Sequence, residues 1–377
     1  MGSTQSGPNP RINGEGATKS RRSSTSGRGT VVATGRGKEP NAGARGQAIV
    51  QSPRLSFAEV MQPGHLVGGS WWAARSCGAL MIIGAIAGVL GQTLSFATYG
   101  GVRITAQLTV LSVLAIAIKF VAFAGAGVGL IAGRGLRACI VICWVAATIS
   151  IGELLSVIYQ GSSAPHHATE EFLFGQKFQT TQVVVDSGYW FALIAAISLI
   201  IAGPLAVVAW FGVDEVESIP LDGARAGTAF AAGAAGVLGV VALLNPPFLP
   251  AVRTYLPSGS LLAQVVDVTV PPGPFDAIGL LEVAGILTAL GVGVAGFLVA
   301  ILNSRRGVIG GLAGLGAYFA WSTLNGVHDA MLNADLVLGV RFYLSLTATV
   351  ICAGGVWFAW VARRRRSGPL REETAEI

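Results

Sequence analysis

Eight apolar runs of about 20 residues or more leave this chain few ways to fold. They lie near residues 75–97, 105–132, 137–160, 188–212, 224–245, 279–302, 306–325 and 340–362. Runs of this length cross a hydrocarbon core of about 30 Å as helices, because lipid offers the backbone no hydrogen-bond partner. Charged residues make up only 12% of the chain, too few for the water-facing surface of a soluble domain. The expected fold is all-α: a polytopic transmembrane helix bundle of about eight spans behind a disordered N-terminal tail.

The charges order the ends. Residues 1–52 hold eight Lys and Arg against Glu15 and Glu39, and the C-terminus carries Arg363, Arg364, Arg365 and Arg366. Basic flanks belong on the cytoplasmic side, so both termini are expected there, in a plasma (inner) membrane. Arg134, Arg137, Arg305 and Arg306 then flank inner loops, in agreement with that orientation. The loop with Asp214, Glu215, Glu217 and Asp222 is acidic, but acids weigh little in topology. The heavy use of Arg, Ala and Gly suggests a bacterial gene.

This gives a layout of four parts. Residues 1–55 form a basic cytoplasmic tail, too poor in apolar residues to offset its ordering entropy. Residues 56–74 form an interfacial segment that ends at Trp71 and Trp72. The bundle occupies 75–362, and 363–377 form a cytoplasmic C-terminal tail. Splitting the bundle at the acidic loop gives two halves, 75–212 and 224–362, with the same orientation, a pattern of parallel repeats. Two long outer loops, 161–187 and 246–278, remain, and the apolar stretch 261–270 within the second is too short to span as a helix.

Glycines spaced by four residues recur: Gly84 and Gly88, Gly125, Gly129 and Gly133, Gly307 and Gly311, Gly310 and Gly314. Such faces let helix backbones approach closely, within one bundle or between copies. The lipid bilayer is the expected partner, with a protein partner or a homo-oligomer served by these faces; nucleic acid is not expected, since topology accounts for the basic ends.

Two ionisable residues fall inside spans, where charge is costly and tends to be functional. Lys119 lies near the middle of the second span and Glu153 in the outer half of the third. The span limits put Lys119 roughly 21 Å and Glu153 roughly 10 Å below the outer end, an offset of about 10 Å that a Lys stem only partly covers. They serve either a transported ion or small molecule, or a buried pair that sets helix register. His166, His167, Glu170, Glu171, His328 and Asp329 form a polar cluster in outer loops, but their spacing matches no metal motif. Cys139 and Cys143 share a helix face and read as small packing residues.

No catalytic motif, metal site or cofactor site is legible. The leading expectation is a non-enzymatic component of a membrane or cell-envelope assembly. The alternatives are a small-molecule or ion transporter using Lys119 and Glu153, and a membrane enzyme on lipid-linked substrates.

Overall fold

The computed structural model describes residues 70–163, 170–173, 176–179, 181–213, 223–250, 253–255, 264–266, 279–333 and 336–366. All lie in one compact unit, Ser52–Ile377. The N-terminal tail, the acidic loop residues 214–222 and most of the loop 246–278 lie outside the described residues.

Eight helices carry the fold: α1 Ser70–Thr93, α2 Val110–Ile131, α3 Leu136–Gln160, α4 Ser187–Phe211, α5 Gly223–Leu244, α6 Leu280–Ile301, α7 Arg305–Leu332 and α8 Val340–Arg366. All eight are long and apolar enough to cross a membrane, with mean hydropathy from 1.3 to 2.6 over their most apolar stretches. Their packing inverts the soluble pattern. The buried face of α1 is built from Ala73, Ala74, Gly78, Gly84 and Ala85. Large apolar side chains such as Phe211, Phe230 and Phe297 point outward. In lipid the outer face gains nothing by being polar, and small inner residues bring backbones together.

Three helix limits differ from those the apolar runs imply. Helix α1 spans Ser70–Thr93 and so includes Trp71 and Trp72, while residues 56–69 of the interfacial segment lie outside the described residues. Helix α2 begins at Val110 because Thr109 and Ser112 form a reciprocal capping box, each side chain accepting the other's backbone N–H. Residues 105–108 before that cap form an irregular connection from the strand Val102–Ile104. Helix α7 runs on to Leu332, past the apolar run, and carries His328 and Asp329 within its last turns.

Short strands gather at one end of the bundle. β1 (Ala97–Tyr99) pairs antiparallel with both β2 (Val102–Ile104) and β5 (Val183–Val185). β3 (Glu170–Leu173) pairs with β4 (Gln176–Gln179). β6 (Phe248–Pro250) pairs with β9 (Leu336–Leu338), and β7 (Arg253–Tyr255) with β8 (Gln264–Val266). Part of the apolar stretch 261–270 is thus strand. The opposite end carries the arginines: Arg137 reaches the Val213 carbonyl and lies over the Trp210 ring, and Arg305 donates to the carbonyls of Ala359 and Trp360.

Helix contacts within Ser70–Phe211 recur in the same order within Gly223–Arg366. Helix α1 packs on α2 and α4, and α3 packs on α4; α5 packs on α6 and α8, and α7 packs on α8. Across the middle, α3 meets α6 and α7, and α2 meets α7. The strands follow suit: β1, after the first helix, pairs with β5, before the fourth, as β6 pairs with β9. A backbone bond from Asp186 N to Phe96 O has its counterpart from Gly339 N to Pro247 O, both 3.0 Å.

Candidate functional site

Lys119 and Glu153 meet. With α2 starting at Val110, nine residues separate its end from Lys119, a depth of roughly 14 Å. Glu153 lies seven residues before Gln160, roughly 10 Å deep. The offset of about 10 Å implied by the apolar runs therefore shrinks to a few ångströms, and the cause is the early cap at Thr109. Lys119 Nζ donates to Glu153 Oε1 at 3.0 Å and to Oε2 at 3.2 Å. The ammonium also lies 4.2 Å from the centre of the Trp321 ring, a cation–π distance. Two of its three donors are thus engaged by one carboxylate.

This pair borders a cavity of about 230 Å³ toward the strand-bearing end. The side chains of Lys119 and Glu153 remain 21% and 24% exposed, so the contact is not sealed. Helices α1 and α4 wall the cavity with Gly84, Gly88, Ala195 and Ala196. Small residues leave that room: a Cβ on Gly88 would find its nearest neighbour, the Ala195 Cβ, only at 3.9 Å. Gln92, Ser156 and Gln160 add amide and hydroxyl groups near the ion pair, and Phe120 and Phe123 add an apolar wall. The space suits several waters or a small polar group. Among the described residues, the buried indole N–H groups of Trp144 and Trp321 have no hydrogen-bond partner, and Trp321 lines this cavity.

Of the outer polar cluster, only His328 and Asp329 have described side chains. His166 and His167 lie outside the described residues. The backbones of Glu170 and Glu171 lie in β3, opposite Gln179 and Phe178. His328 is buried in α7, with Nδ1 2.8 Å from Thr109 Oγ1, and so ties α7 to the cap of α2. Asp329 follows it on the same helix. Among the described residues, no group of three or more His, Cys, Asp and Glu is placed to hold a metal ion. Cys143 packs not with Cys139 but with Cys77 of α1, Sγ to Sγ 3.3 Å, and both are buried.

Above the cavity, Asp186 organises the small sheet. Its Oδ2 accepts from Ser95 Oγ at 2.5 Å and lies 3.5 Å from Arg103 Nε. The Ser95 hydrogen bond, with the Arg103 charge, holds the carboxyl below the usual carboxylate range. A depressed folded value stabilises above the unfolded value of about 3.9 and is lost as pH falls through the folded one. The melting-temperature gap between the wild type and Asp186→Asn is therefore expected to be full at neutral pH and to close below about pH 4. A gap that is constant from neutral to acid pH would remove Asp186 from this role.

Sequence reasoning missed Trp321, Gln92, Ser156 and Gln160 as members of one site. Trp321 reads as an interfacial ring if its span ends at 325. In a helix that ends at Leu332 it lies roughly 17 Å from the end, at mid-membrane depth, where a Trp needs a reason. The late end of α7 was the signal.

Eight helices long and apolar enough to cross a membrane, with many large apolar side chains exposed on their outer faces, define a multi-pass integral membrane protein. Comparison with protein families, with curated proteins and with solved structures finds no match to the chain.

Proposed function

We propose that the protein binds and moves a small polar molecule through the membrane, using the Lys119–Glu153 pair as its recognition site. The observation that carries this reading is the ion pair's position on an open, partly polar cavity instead of in a sealed contact. A register pair needs no such space, whereas a ligand site does. The reading of an envelope-assembly component drew on the glycine faces, the long outer loops, the sparse intramembrane charge and the missing catalytic motifs. Of the glycines, Gly84, Gly307, Gly310, Gly311 and Gly314 face neighbouring helices of the same bundle, whereas a Cβ on Gly125 or Gly133 would meet nothing within 4 Å. The recurring contacts support an origin from two parallel four-helix repeats, and the arginine-bearing end is assigned to the cytoplasm of an inner membrane. With that orientation the cavity opens in the outer half.

Melting temperature of the purified protein, screened against small zwitterions, amines and organic acids, tests the reading. A ligand held at 100 times its dissociation constant stabilises the folded state by about 2.7 kcal/mol. At least one class is expected to raise the melting temperature of the wild type and to leave the double variant Lys119→Met/Glu153→Gln unmoved. No response to any class, combined with a stoichiometric protein partner after gentle extraction, would return the chain to the assembly-component reading.

A further inference from the structure

Helices α1 and α2 pack together, and their backbones meet at Gly78 and Gly127. A Cβ on Gly78 would lie 2.6 Å from the Gly127 carbonyl oxygen, and one on Gly127 would lie 2.6 Å from that of Gly78. From there toward the strand-bearing end, the glycines of α1 turn to α4 instead: Gly84 toward Leu199 and Gly91 toward Ala192. Beyond that contact, Val89 of α1 and Phe120 of α2 line the cavity while staying partly exposed. Both lie on helices long and apolar enough to cross a membrane.

At the strand-bearing end the small sheet packs beside the cavity. Phe96 lines the cavity, is only 3% exposed, and packs with Ala97, Tyr99 and Ile104 of the small sheet. The Tyr99 hydroxyl donates to the Gln160 carbonyl and fastens this lid to the end of α3. The cavity thus has partly exposed apolar lining on α1 and α2 and a buried aromatic ring, Phe96, on the sheet side.

From this geometry, and resting on the reading of Lys119 and Glu153 as a ligand site, we infer that the ligand is a zwitterionic aminophospholipid whose head enters sideways between α1 and α2. A head with one phosphate and one primary ammonium gives Lys119 an anion and Glu153 a cation, so no charge in the membrane is left uncompensated. A purely anionic head would set its charge against Glu153, and a purely cationic one against Lys119. A primary ammonium donates hydrogen bonds to the carboxylate that a trimethylammonium group cannot. The acyl chains stay in the bilayer, outside the gap.

Native mass spectrometry of the full-length protein in delipidated micelles tests this. The probes are dihexanoyl phosphatidylethanolamine, its phosphatidylcholine and phosphatidylglycerol counterparts, and water-soluble glycerophosphoethanolamine. One dihexanoyl phosphatidylethanolamine per chain is expected, held at least tenfold more tightly than the other three. Lys119→Met and Glu153→Gln each reduce this at least tenfold. Gly88→Leu places a larger side chain in the cavity, its Cβ in ordinary contact with Ala195, and leaves both charged residues in place, so it abolishes binding while the protein stays monodisperse. Equal binding of glycerophosphoethanolamine would overturn the lipid assignment and leave the polar site standing. Tightest binding of phosphatidylglycerol or phosphatidylcholine would overturn the head assignment. Retention of phosphatidylethanolamine unchanged in all three variants would show surface lipid only and overturn the inference. No binding of any probe by the wild type, with no response in the melting screen, would remove both the inference and the reading beneath it.

Discussion

Glu153→Leu is expected to cost the folded protein about 2–4 kcal/mol, whereas Lys119→Met/Glu153→Leu costs much less than the sum of the two single changes. Removing one partner of a buried pair leaves the other charge uncompensated, which costs roughly 3–5 kcal/mol in a dry site. The pair here keeps 21% and 24% of its side-chain surface exposed, so the figure is lowered for screening. The lone Lys119 retains the Trp321 ring as a neighbour and has a stem that reaches toward the cavity, which softens but does not cancel the loss. In the double variant two apolar side chains face each other and no charge remains. Equilibrium unfolding of the four proteins in one detergent measures the coupling directly. Additive single costs would mean that the two side chains do not act on each other in the folded state.

Gly310→Ala is expected to destabilise by about 2 kcal/mol or more, because its methyl meets backbone and not a movable side chain. The new Cβ would lie 2.6 Å from Ala138 Cα and 2.7 Å from the Ala138 carbonyl carbon, so α7 and α3 must move apart. That contact joins the two halves of the bundle. Gly125→Ala is the matched control: nothing lies within 4 Å of its added Cβ, and a glycine in mid-helix gains about 0.5–1 kcal/mol of helix propensity on becoming alanine. The two variants change the same atoms in the same residue type, so opposite signs in one melting experiment isolate interhelical contact as the cause. Equal effects at both positions would mean that α3 and α7 do not meet through Gly310.

The glycine pattern shows where legibility stops. Spacing by four residues marks Gly310 and Gly314 as one face, and the structure places that face against α3. The same spacing marks Gly125 and Gly129, yet Gly125 meets nothing, and Gly129 lies against Cys139 near the turn into α3. Spacing names a face of a helix. It does not name the neighbour, because that depends on the tilt and rotation of other helices.

Polar residues divide in the same way. Lys119 and Glu153 stand out in sequence because a charge within an apolar run is costly wherever the helix sits. Their depth depends on where α2 starts, and hydropathy reads straight through residues 105–109, although these lie between the strand that ends at Ile104 and the helix that starts at Val110. His328 follows the opposite course. It reads as a loop residue because polar side chains end the apolar run, but α7 continues, and Thr109 supplies the partner that lets the imidazole be buried.

What the sequence determined alone is the bilayer-spanning class, the number of helices and the presence of two charges among them. Those follow from the cost of moving backbone and side-chain groups into lipid, which is local to each segment. The tertiary structure alone decided that Lys119 meets Glu153 under Trp321 and that small residues of α1 and α4 leave a cavity beside them. Each of these depends on side chains from three or more helices far apart in the chain, and on a cap at Thr109 that sets their relative depth.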